Sequence, residues 1–196
     1  MITAHTSGWH ELKAYIGHIR QFTRRDWWIY GLWIGTILGL FVSTALFLGW
    51  GASHGMVYPA YVWSIPVGAL IFTGAIAIDT IGHRTVYQAE LQKYEALVHH
   101  ITIFSGVTSV ILLCAAYRYP VALYVPTLVL IGLSIFYSAV DEAIHWFRYA
   151  RQQSDRVEMW SHYFILLGHL MMISAWWLWY RAGYPGVADT LRTFGL

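Results

Sequence analysis

Three residues separate Asp79 from His83, and three separate Glu95 from His99; both spacings return at Asp141/His145 and Glu158/His162. The first pairs are offset by 62 (141 − 79 and 145 − 83), the second by 63 (158 − 95 and 162 − 99). Four residues apart on a helix, a carboxylate and an imidazole share one face about 6 Å apart along the axis. These oxygen and nitrogen donors suit iron, and also copper, manganese or zinc. Asp79, His83, Glu95, His99, Asp141, His145, Glu158 and His162, facing inward from four helices, read as one dinuclear site of two metal ions, iron foremost. The single cysteine, Cys114, lies in an apolar run, which excludes an internal disulfide and thiolate-based zinc or iron–sulfur sites.

Other residues could support those ligands. Glu142 stands three before His145, the Glu-x2-His spacing of di-iron carboxylate bundles. Its counterpart 62 residues earlier is Thr80, so Asp141 is the preferred ligand and Glu142 an alternative or a supporting group. Tyr87 and Tyr149, also 62 apart, follow each first histidine by one turn and could supply hydrogen bonds or an electron-transfer step. His100 adjoins His99. His169 lies seven residues after His162, where the first unit has Gly106, and reads as a packing histidine or a relay. The plain alternative for the whole pattern is a set of boundary salt bridges, His–carboxylate pairs tying helix ends together near Arg84, Arg148 and Arg156. Retention of four pairs in register favours ligands, because a pair kept for packing alone drifts readily to Gln, Lys or Ser.

Composition determines the elements that position these residues. The chain of 196 residues is 58% hydrophobic and 11% charged, with mean hydropathy +0.50. Soluble domains carry about 25% charged residues, so the expected fold is all-α and integral to a bilayer. Five stretches approach the roughly 20 residues a span requires: 29–50, 61–81, 101–117, 121–140 and 163–180. The third and fifth are short, and their helices should begin earlier, in the polar stretches carrying the Glu-x3-His pairs. A net charge of +2 gives no reason to expect a nucleic-acid partner.

The chain divides into a cytoplasmic amphipathic segment (1–26), a leader span (27–57), repeat 1 (58–119), repeat 2 (120–184) and a short tail (185–196). Each repeat is a span, a hairpin and a returning span ending in Tyr-Arg (Tyr117-Arg118, Tyr180-Arg181). The two hairpins, turning near 88–93 and 152–155, should form a four-helix bundle. An amphipathic helix is expected over 8–25, and close helix contact at Gly35, Gly39, Gly49 and Gly51 of the leader. No cleaved signal peptide is expected in the polar, basic N-terminus. Lys13, Arg20, Arg24, Arg25, Arg84, Lys93, Arg148, Arg151 and Arg156 fall on one side of a five-span topology, against Arg118, Arg181 and Arg192 on the other. The positive-inside rule then puts the N-terminus and the ligand-bearing hairpins at the cytoplasmic face and the C-terminus opposite.

The Asp-x3-His…His pattern of both units, above all 141–147 (Asp-Glu-Ala-Ile-His-Trp-Phe), resembles the metal-binding hairpins in a membrane component of the particulate methane and ammonia monooxygenases. That family has a shorter spacing to its last histidine and lacks the carboxylates at Glu95 and Glu158. Ligands gathered at cytoplasmic span ends also resemble the histidine-rich membrane di-iron hydroxylases and desaturases, whose His-x3-His boxes are missing here. Both resemblances imply oxidative chemistry at a membrane metal centre. The expected function is O2-dependent oxidation of a lipophilic substrate taken from the lipid bilayer, with a separate electron donor or partner subunits. A b-type haem electron-transfer subunit and a metal-ion transporter or copper-site subunit are the competing readings.

Overall fold

The computed structural model describes residues 8–86, 93–152 and 156–196, with all their side chains except those of 93–95 and 152. Tyr87, the Glu95 side chain and most of both hairpin turns lie outside the described residues. Every regular element among these residues is helical. Five helices are long and apolar enough to cross a membrane: α2 (Arg24–Ser53), α3 (Ser64–Thr85), α4 (Lys93–Ala116), α5 (Pro120–Gln152) and α6 (Arg156–Arg181). The short α1 (Gly8–Gly17) precedes them and α7 (Val187–Thr193) follows. As the polar Glu-x3-His stretches implied, α4 and α6 start well before their apolar runs.

The N-terminus departs from expectation. Its α-helix stops at Gly17, a 3-10 turn covers His18–Gln21, and α2 begins at Arg24, inside the segment expected to precede the leader. Thr23 resets the chain. Its backbone N–H donates to Asp26 Oδ2 at 3.0 Å, and its hydroxyl accepts from the Asp26 N–H at 3.3 Å, a reciprocal cap that satisfies donors every helix start leaves bare. Arg84, at the end of α3, donates to the same Asp26 from Nε at 2.7 Å, which ties the start of α2 to the end of α3.

The close helix contacts lie only partly where expected, at Gly51 of the leader and not at its other three glycines. A Cβ at Gly35, Gly39 or Gly49 would meet nothing within 4 Å, so these glycines of α2 do not mediate close packing. The tight approach is between α3 and α6. A Cβ on Gly68 would stand 2.7 Å from the Gly168 carbonyl oxygen, and one on Gly168 would stand 2.6 Å from the Phe72 backbone nitrogen. Both obstacles are backbone, so only glycine allows the two helices to close. Helix α3 packs most extensively on α6 and α4 on α5; α5 also packs on α6, and α2 on α3.

One end of this arrangement is apolar. Leu48, Val62, Ile65, Leu113, Ile173 and Trp176 form a buried core there. The tail is part of it, although its residues carried no signal for a structured element. Trp50 Nε1 donates to Thr193 Oγ1 at 2.9 Å, and the buried Tyr58 hydroxyl pairs with Thr190. A Cβ at Gly51 would collide with both the Tyr58 and Thr190 oxygens, so that glycine makes room for α7. Toward the other end the interior turns polar, with Thr73, Ser105, Ser134 and Ser138 buried. Helix α5 has 33 residues, about 50 Å, against a hydrocarbon core of about 30 Å. Asp141 and His145, about 32 and 38 Å from its start, therefore stand at the far boundary of an apolar layer of that thickness.

Candidate metal centre

The final turns of α3, the first turns of α4 and α6, and the distal part of α5 bring six side chains together. Within one helix, His83 Nε2 lies 3.5 Å from Asp79 Oδ2 and His145 Nε2 lies 3.8 Å from Asp141 Oδ1, as the four-residue spacing requires. The shorter contacts cross between helices. His162 Nε2 of α6 stands 3.0 Å from Asp79 Oδ1 of α3, and His99 Nδ1 of α4 stands 2.9 Å from Asp141 Oδ1 of α5. His162 also places Nδ1 3.1 Å from Asp141 Oδ2, and His99 Nε2 lies 3.4 Å from His83 Nε2. Asp141, His162, Asp79, His83 and His99 thus form a closed ring of contacts, with His145 attached at Asp141.

The two shortest contacts join positions related by the sequence offsets, Asp79 to His162 and Asp141 to His99. Both are within hydrogen-bond distance but poorly aligned for one. Asp79 Oδ1, Asp141 Oδ1 and His162 Nε2 are buried and without hydrogen-bond partners among the described residues. A donor and an acceptor about 3 Å apart, misaligned and cut off from water, are costly to bury. The same atoms are well placed if their lone pairs converge on a common point. Ions bound at about 2.1 Å hold neighbouring ligands about 3.0–3.4 Å apart. The donors form two groups, His99/Asp141/His145/His162 and Asp79/His83/His162, in each of which the ligand atoms lie within 4.8 Å of one another. Buried His and Asp groups here could hold a metal ion.

The cluster consists of His–carboxylate contacts between helix ends, the pairing that the salt-bridge alternative also expects, and the flanking arginines are engaged outside it. Arg84 is engaged with Asp26, Arg148 with Glu158 at 3.5 Å and Arg156 with Glu11 at 2.9 Å, while the two aspartates meet imidazoles.

The remaining sequence candidates divide. Glu158 is almost fully buried but stands behind the donors, with Oε1 3.4 Å from His145 Nδ1 and hydrogen-bonded to Arg148. Glu142 accepts a hydrogen bond from the Trp146 indole one turn on, and its second oxygen is buried and without a hydrogen-bond partner. His100 is exposed, with Nδ1 2.6 Å from the Ala96 carbonyl of its own helix. Tyr149 is half-buried and belongs to neither donor group. His169 lies deeper, 4% exposed, with Nε2 3.2 Å from Ser134 Oγ and its ring edge-on to Phe72. Sequence reasoning did not find Ser134, which falls seven residues before Asp141 on the same face of α5; that heptad spacing was the available signal.

Fold and site together define a class: an all-helical chain with five apolar helices compatible with an integral membrane protein, carrying a buried histidine–aspartate cluster able to hold metal. No family model, curated protein or solved structure matches this chain.

Proposed function

We propose that this protein is a membrane metal-dependent oxidoreductase, whose centre of two metal ions forms between two tandem helical hairpins arranged as a four-helix bundle. The observation that carries this reading is the pair of offset-related contacts, Asp79–His162 and Asp141–His99, close enough to share a metal and not aligned as hydrogen bonds. Four imidazoles and two carboxylates suit a redox-active ion such as iron or copper. Two carboxylates also offset part of the charge of two cations, in a setting where unpaired charge is expensive. Glu158 supports the site from behind by orienting His145, the role an outer carboxylate takes toward a metal-bound imidazole. Glu95, one turn before His99, is proposed as a further ligand on its spacing alone.

Basic residues crowd the end of the helices that holds the site, which supports a cytoplasmic face for it and for the N-terminus. At that boundary a substrate dissolved in the bilayer reaches the centre laterally. We therefore assign a lipophilic substrate and O2 as oxidant, with electrons supplied by a separate donor.

The test is elemental analysis with optical and EPR spectroscopy on protein purified from membranes without chelators. Two redox-active ions per chain are expected. Less than one metal per chain in intact protein overturns the reading. Zinc alone leaves the site but removes the redox assignment, and a Soret band establishes the haem alternative.

A further inference from the structure

We infer that His162 joins the two metal positions as a bridging imidazolate, an inference that rests on the dinuclear reading above. His162 belongs to both donor groups. Its two nitrogens, on opposite edges of the ring, address different carboxylates: Nε2 stands 3.0 Å from Asp79 Oδ1 and Nδ1 stands 3.1 Å from Asp141 Oδ2.

An imidazole bound to a single metal normally gives its other N–H to a carboxylate or carbonyl. His162 departs from that pattern because the carboxylate at its second edge is a donor itself: Nε2 is buried without a hydrogen bond among the described residues, and Nδ1 faces Asp141, a member of the other donor group. The ring is also held in its plane. His145 stacks on it with centroids 3.5 Å apart and planes 22° apart, and His99 lies nearly parallel at 5.7 Å and 23°. With the plane fixed by its neighbours, one edge faces the Asp79/His83 pair and the other faces Asp141. No rotation of His162 alone gives both nitrogens to one group.

The chemistry balances simply. A neutral imidazole carries one ring proton. When one ion occupies the bare nitrogen, the second replaces that proton, which leaves to solvent, and the ring becomes an anion bound at both edges. The added negative charge further offsets two cations beside only two aspartates. His99 is the competing bridge, since its Nδ1 faces Asp141. His99, however, belongs only to the Asp141 group, whereas His162 belongs to both.

The experiment loads the full-length, detergent-purified protein with Cu(II) in measured equivalents and follows metal content and EPR. The first equivalent should give an uncoupled copper spectrum. The second should convert it to a coupled pair with a half-field transition, at two ions per chain. His162→Gln, checked for helicity and monodispersity, should abolish the half-field signal. It should also weaken binding of the second ion by at least the roughly 10- to 100-fold that losing even an outer partner of a ligand costs. His99→Gln should retain the coupling.

Two bound but uncoupled ions in the wild type overturn the bridge and leave the dinuclear reading intact. Coupling that survives His162→Gln also overturns it, as does coupling lost in His99→Gln at two bound ions. Failure to bind two ions overturns the dinuclear reading itself. The wild-type titration decides the matter even if a variant fails to fold.

Discussion

Asp79 and His162 are 83 residues apart in sequence and meet at 3.0 Å across the seam between α3 and α6. The counterpart contact, Asp141 to His99, closes at 2.9 Å across α4 and α5. Each aspartate therefore has its shortest contact with a histidine of the other proposed repeat, and the same-helix partners, His83 and His145, stand farther off at 3.5 and 3.8 Å. The cluster is built from both halves of the chain.

Asp141→Asn and Glu158→Gln should separate ligand from support. Asp141 faces three imidazoles, so neutralising it should reduce the metal content of purified protein to one ion or none. Glu158 touches His145 from behind, so its amide variant should still load fully at high metal and lose affinity by about 10- to 100-fold. Equilibrium metal titration reads both, and equal losses in the two variants would contradict the assignment.

The glycine seam should control the site at a distance. Gly168 lies six residues beyond His162, about 9 Å along α6, and its neighbours across the seam are backbone atoms that cannot yield. Gly168→Ala should destabilise the protein by roughly 1–3 kcal/mol through overpacking and lower metal retention by parting α3 from α6. Gly35→Ala, facing open space, should be neutral or slightly stabilising. Detergent unfolding curves with metal analysis of the same samples compare them.

Removing metal should cost stability. Any ligand that binds only the folded state stabilises it by mass action, about 4 kcal/mol for each site at a thousandfold excess over its dissociation constant. Incubation with a strong chelator should lower the thermal midpoint, and re-addition of the native metal should restore it. An unchanged midpoint after proven metal loss would mean that the cluster holds together by its own ion pairs.

His169 and Ser134 should behave as interior packing and not as ligands. Ser134→Ala should leave metal content unchanged and cost on the order of 1 kcal/mol, the usual worth of such a bond between membrane helices. Loss of metal in this variant, with helicity preserved, would draw His169 into the centre.

The residues that form the cluster were legible in the sequence because helical periodicity is local: a four-residue spacing puts Asp79 with His83 and Asp141 with His145 whatever else the chain does. The cross-helix partners were not legible, because they depend on how closely α3 approaches α6. That distance is set by Gly68 and Gly168, two among 17 glycines with no local mark of their role. The glycines of the leader at 35, 39 and 49 looked equally suitable and pack against nothing. Glu158 illustrates the same limit: its spacing from His162 implies a shared role, while its neighbours across the helix gap turn it toward His145 and Arg148. The early start of α2 was written in the sequence as Thr23-x2-Asp26, a capping pattern that a hydropathy reading passes over.

His162, the residue common to both donor groups, is also the last of the six to be synthesised. While the ribosome is still making the final span, the membrane holds a chain with two aspartates and three histidines but without the imidazole that links them. Neither donor group is complete at that stage. On the proposed function, metal acquisition would be a terminal event in biogenesis, coupled to the docking of α6 against α3. A chain truncated before residue 162 would leave both donor groups incomplete.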